Sequence, residues 1–197
     1  MSQPNSNRFS HIIIAVLLVL CCVACNRNKD GQYAVSIARF DKVMFDTPND
    51  ELVDALATFR NQHPSPLIKI YPEDERFMQY VTETRNDPVA RDLYDSVQHY
   101  YGDLRWAERE LSDALARLHA LDSAFDYHQF ICYVGNEGYQ NRVKVDRPSG
   151  SVAIVIDQYV VGTMAKYGYF NDPLYIVRCS AKPYLVADIV SAIIHQH

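Results

Sequence analysis

Beyond its amino-terminal leader the chain lacks most of the residue patterns that carry site chemistry. Past residue 32 only Cys132 and Cys179 remain, far apart, so no Cys-x-x-Cys pair can build a structural zinc module. A zinc-peptidase run of His-Glu-x-x-His is also missing. The register before His195 reads Ser191-Ala192-Ile193-Ile194-His195, without the first ligand and the glutamate base. Gly150-Ser151 lacks the flanks of a nucleophile elbow, and Gly135-Asn136-Glu137-Gly138 is too short for a phosphate cradle and precedes no helix. No cofactor is implied. Positive charge is scarce, with 19 Lys and Arg against 24 Asp and Glu. A nucleic-acid partner is therefore not expected. There is no internal repeat, and the apolar run near the start is well short of the about 20 residues that span a bilayer.

That run, Ile12 to Ala24, holds thirteen uncharged residues behind a short polar leader with Arg8. Its length fits the apolar core of a signal peptide. Val23 and Ala24 precede Cys25, and the chain then turns polar through Asn26, Arg27, Asn28, Lys29 and Asp30. The arrangement resembles the lipobox of bacterial lipoproteins, with Cys22 standing where such boxes usually carry Leu, Val or Ile. The resemblance implies that residues 1–24 are removed and Cys25 is acylated, giving the membrane as a partner. At about 0.8 kcal/mol per buried methylene, several acyl chains anchor a protein stably where one does not. A simple amino-terminal anchor, or a secretory peptide with a chance cysteine, is the plainer alternative.

Without residues 1–24 the chain has 173 residues and a net charge of −6, a usual size for one domain with a sizeable core. Residues 25–32 read as a flexible tether and 33–197 as one domain. The tether has no acidic block, which favours a periplasm-facing position over the cell surface. In an oxidising envelope Cys132 and Cys179 could pair, and closing a loop of that length would add about 4 kcal/mol. The alternative is a buried thiol at Cys132, inside Phe130-Ile131-Cys132-Tyr133-Val134.

The periodicity predicts an α+β fold, mostly helical with a small sheet. A first strand is expected between Tyr33 and Phe45, from the alternation of Val35, Ile37, Phe40, Val43 and Phe45, ending near Phe40. Thr47-Pro48 reads as a helix start, with Leu52, Val53, Leu56 and Phe59 as the buried stripe and His63-Pro64 as the end. Helices follow over about 73–83, 88–101 and 103–121. The last of these carries the longest amphipathic signal, from Leu104 to Leu121. Strands are expected at 127–134, 142–145 and 151–156. Asp157 is expected to cap a helix over 158–166, and a last helix to begin near Pro183. His195 and His197, two apart on a helix, point about 200° from one another and do not share a metal, although His195 is a weak candidate ligand. Tyr159, Tyr167, Tyr169, Phe170, Tyr175 and Tyr184 crowd one segment and suit either a wet interface, such as glycan stacking, or ordinary packing.

The order of these features resembles the gliding-motility lipoprotein family called GldB. The resemblance rests on Cys25, on Ile37-Ala38-Arg39-Phe40-Asp41 followed by Met44-Phe45, on the helical middle, and on Ser151-Val152-Ala153-Ile154-Val155-Ile156-Asp157-Gln158-Tyr159 with the aromatic run and last helix behind it. Val160-Val161-Gly162 matches the family's Leu-Gly only loosely. Members usually continue past the last helix, so the carboxy-terminal part is expected to be missing here. The resemblance implies a fold similar to zincin-like metallopeptidases, with His195 as the surviving ligand position of a decayed site. It also implies a non-enzymatic envelope component, structural or interacting, with envelope protein partners. A zinc hydrolase whose other ligands lie beyond residue 197, and a cell-wall glycan-binding lipoprotein, are the alternatives.

Overall fold

The computed structural model describes residues 33–135, 142–160 and 180–197, of which Tyr33–His197 is one compact unit. Among these residues four strands form one sheet: β1 Ile37–Arg39, β2 Gln129–Tyr133, β3 Val143–Asp146 and β4 Ser151–Val155. The strand order is β1-β2-β4-β3. The first three in that order run parallel, in the register Ala38 to Ile131 and Ile131 to Ala153. The fourth, β3, returns antiparallel beside β4, with Val145 opposite Val152. Every residue of β4 is buried, as a central strand covered on both faces requires. Among the described residues six α-helices accompany the sheet: α1 Phe40–Asp46, α2 Leu52–Gln62, α3 Glu75–Asn86, α4 Pro88–Tyr100, α5 Arg105–Leu121 and α6 Leu185–Gln196. The mixed α+β class and small sheet are those expected from the sequence.

Local chemistry explains where the middle helices begin. Asp74 caps α3, its Oδ1 accepting from the amides of Arg76 at 2.8 Å and Phe77 at 3.1 Å. Asp87 caps α4 in the same way, with Pro88 in the first helical position. Such a cap satisfies amides that no helical carbonyl reaches, and its loss typically destabilises by about 1 kcal/mol.

Several boundaries differ from expectation. The first strand is only three residues, and Phe40 opens helix α1 rather than ending a strand. Phe40, Asp41, Met44 and Phe45 are buried, a spacing that suits one helical face, while Val43 on the alternating pattern is only half buried. Thr47 closes α1 instead of opening the next helix, which starts at Leu52 without a side-chain cap. Arg85 donates to the carbonyls of Met44 at 2.8 Å and Thr47 at 2.7 Å, satisfying the end of this short helix. Val53, placed in the buried stripe by its spacing, is 47% exposed. A 3-10 turn, Ile156–Tyr159, follows β4, and the Asp157 side chain does not cap it. Another short turn, Lys182–Tyr184, leads into α6. Residues 161–166, expected as helix, lie outside the described residues.

Candidate functional site

The carboxyl ends of parallel strands are where open sheets gather polar groups. Here β1 ends at Arg39, and α1 begins at once, so Asp41 lies two residues beyond the strand, in the first helical turn. Asp41 is fully buried, and Arg39 keeps 14% of its side chain exposed. The guanidinium forks onto the carboxylate, Nε to Oδ1 at 2.8 Å and Nη2 to Oδ2 at 2.6 Å. Arg39 Nη1 also donates to the carbonyl of Tyr101 at 2.9 Å, and Nη2 to Gln98 Oε1 at 3.2 Å. Gln98 returns a bond, Nε2 to Asp41 Oδ2 at 3.1 Å, and the Cys132 thiol donates to Oδ1 at 3.6 Å. Both carboxylate oxygens thus accept two donors each. Asp41 has its acceptor capacity filled by the protein itself.

Electrostatics follow the geometry. Burial lowers the Arg39 pKa, but the hydrogen bond and charge of Asp41 override it, and the net shift is upward. Burial and the Asp41 charge push the Cys132 thiol well above its ordinary value. An activated cysteine needs the opposite shift. Cys132 is a free, fully buried thiol here; Cys179, its expected disulfide partner, lies outside the described residues.

Asp157 follows β4 at the same end of the sheet and is 1% exposed. Its Oδ1 accepts from the Gly135 amide at 3.0 Å, which ties the exit of β2 to that of β4. A helix cap was the expected role. Because the chain enters a 3-10 turn at Ile156, the carboxylate turns to the neighbouring strand's exit instead.

A second ionic group joins the sheet to α6. Arg142 Nη2 meets Asp188 Oδ2 at 2.7 Å, and the Tyr159 hydroxyl donates to the same oxygen at 3.1 Å. The Arg142 guanidinium lies 5.2 Å from the centre of the Tyr159 ring. The Tyr101 hydroxyl donates to the Tyr159 carbonyl at 2.9 Å, linking this group to the end of α4. Burial raises the Asp188 pKa although Arg142 and Tyr159 pull it down. Tyr159 is pushed up, first by burial and then by the Asp188 charge.

The other expected site residues are scattered. Tyr159, which suits either an interface or ordinary packing, is 2% exposed and belongs to the core, its ring closing over Arg142 and its hydroxyl donating to Asp188. Tyr184 is 41% exposed. Tyr167, Tyr169, Phe170 and Tyr175 lie outside the described residues, as does Cys25. His195 is exposed, with Nδ1 donating to the Ser191 carbonyl at 2.7 Å one turn back. His197 is held apart from it, stacked on Phe125 and with Nε2 at 3.1 Å from Asp122 Oδ2. Among the described residues no three His, Cys, Asp or Glu side chains converge as a metal would require. Nor is any described helix long and apolar enough to cross a membrane.

Sequence reasoning singled out Arg39 and Asp41 only as part of a motif and missed Gln98, Arg142 and Asp188. The available signal was a charged pair, Arg39 and Asp41, embedded among Ile37, Ala38, Phe40, Met44 and Phe45. Charges in so apolar a stretch must be paired.

Together these features define a small α+β domain whose buried charges are spent on holding strands to helices. The chain belongs to the gliding motility protein GldB family, whose model matches residues 25–197. Comparison with curated proteins and with solved structures finds no match.

Proposed function

We propose that this protein is a lipoprotein of the bacterial envelope, held to a membrane through acylated Cys25 and facing the periplasm, and that it serves gliding-motility or related envelope machinery as a structural or interaction component. The observation that carries this is the family match, which begins at Cys25 and runs through the described domain. The buried charges support a scaffold, since Asp41 is saturated by internal donors and Cys132 is held protonated. Neither is poised as a base or nucleophile.

Affinity capture of the acylated full chain from detergent-solubilised membranes is the test, paired with a chromosomal deletion. Recovery of defined envelope proteins, together with loss of surface motility or of envelope secretion in the deletion strain, is the expected result. Recovery of no envelope protein, with motility and secretion intact in the deletion strain, overturns the reading. Stoichiometric zinc bound through His195 in a longer reading frame would favour a hydrolase instead.

A further inference from the structure

The two edges of the sheet are finished differently. At β1 the edge is closed by α5: the Ile37 amide donates to Glu108 Oε1 at 2.9 Å, and the Val35 amide to Ser112 Oγ at 2.9 Å. Side chains there take the place of a further strand. At β3 the pairing with β4 fixes which backbone groups point outward. Arg142 stands opposite Val155 and accepts from its amide at 2.8 Å, so 142, 144 and 146 face β4 with their backbone groups. The amides and carbonyls of Val143 and Val145 therefore point away from the sheet. Among the described residues no hydrogen bond from outside β3 reaches them. β3 is half buried, and an edge strand whose outward backbone groups are unpaired among the described residues is a template for another strand.

The side chains of β3 name the strand that fits. An antiparallel pairing centred on Val145 sets Val145 against itself, joining its outward-facing amide and carbonyl to those of the second copy, while Arg147, whose carbonyl already accepts from the Gly150 amide in the turn, lies beyond the paired segment. It also sets Lys144 directly opposite Asp146, where side chains lie closest. The segment Lys144-Val145-Asp146 is thus complementary to its own antiparallel copy, in hydrogen bonding at Val145 and in charge at Lys144 and Asp146. Isologous pairing about a two-fold axis requires that self-complementarity. The β3 side chains leave the neighbouring geometry intact: Val143 and Val145 pack on the core, and Lys144 lies over the Tyr133 ring, 5.7 Å from its centre. Asp146 accepts from the Ser149 amide and hydroxyl with Oδ2, which leaves Oδ1 for a cation.

We propose that two copies of this chain associate edge to edge through β3, in antiparallel register centred on Val145, extending the four-stranded sheet to eight strands. Such a dimer goes beyond the envelope role and does not depend on it.

The test uses the full chain in detergent micelles, with fewer protein chains than micelles, and measures protein mass by light scattering across a concentration series. Wild type is expected at twice the single-chain mass. Lys144→Glu places like charges opposite one another, as does Asp146→Lys, and each variant alone is expected to associate at least about tenfold more weakly. An equimolar mixture of the two restores association, because each introduced charge then meets its opposite across the axis. Thermal unfolding checks that each variant folds. If either does not, amide exchange of the wild type decides: protection at Val145 that appears with concentration and disappears on dilution supports the dimer. A wild type that stays at single-chain mass, or charge variants that associate as wild type does, overturns it, as does exchange at Val145 that ignores concentration.

Discussion

Arg39 and Asp41 sit two residues apart across the junction of β1 and α1, yet they form a two-pronged ion pair with contacts of 2.8 and 2.6 Å. The turn from strand to helix brings them together. Gln98 from α4, the Tyr101 carbonyl and Cys132 from β2 complete the cluster, so one buried pair joins β1 and β2 to α1 and α4.

Removing one partner strands the other. Asp41→Ala leaves a buried guanidinium uncompensated and is expected to destabilise by about 3 to 5 kcal/mol in urea unfolding. Replacing both, as Arg39→Met with Asp41→Leu, removes the charges together and is expected to cost less than either single replacement by alanine. A double replacement as damaging as the sum of the singles would mean that the two residues act independently.

The Cys132 thiol is expected to resist alkylation in the folded protein and to react freely once urea unfolds it. Quantitative peptide mapping of Cys132 before and after unfolding measures this. Rapid labelling of Cys132 in the native state would contradict its full burial beside Asp41.

Asp188 gives a pH dependence of definite sign. Burial raises its folded pKa above the ordinary carboxylate value, so the folded state holds the proton more tightly than the unfolded chain. That contribution to stability is fully present below the unfolded pKa of about 4 and is lost as pH rises through the folded value. Relative to wild type, Asp188→Asn is therefore expected to become less destabilising as pH rises across that window, and level beyond it. Urea unfolding at a series of pH values from about 3.5 to 7 checks it. A variant whose disadvantage grows with pH there would show that Arg142, not burial, controls Asp188.

Gly150 turns the chain from β3 into β4 with φ of 61°. Its amide donates to the Arg147 carbonyl, and its carbonyl receives the amides of His128 and Gln129 at 3.2 Å, so the turn is also tied to the entry of β2. A β-carbon there would stand 2.7 Å from the Asp126 carbonyl oxygen. Gly150→Ala is expected to destabilise by more than the about 1 kcal/mol of left-handed strain alone. A change within about 0.5 kcal/mol in urea unfolding would contradict the turn geometry.

Much of the helical part is legible in the sequence because its signals are local. Asp87-Pro88 names both a cap and a first helical residue, and the Leu104 to Leu121 pattern names its buried face, although Leu121 itself is 85% exposed. The strand-to-helix switch at Phe40 is not legible, since Val35 and Ile37 alternate as in a strand, Phe40, Met44 and Phe45 recur as on a helix, and Arg39 offers no side-chain cap to mark where one gives way to the other. The ionic clusters are hidden for a different reason. Arg142 and Asp188 are 46 positions apart in the chain, and only folding brings α6 beside β3. Tyr159 looks like one of a run of exposed aromatics, but its neighbours in space, Arg142 and Tyr101, make it core.

Acylation of Cys25 tests the envelope reading most directly. Cells fed an alkyne-tagged fatty acid are expected to yield labelled wild-type protein in the membrane fraction, with label and membrane retention both lost in Cys25→Ala. Wild-type protein without label, or a Cys25→Ala variant that keeps it, would contradict the account.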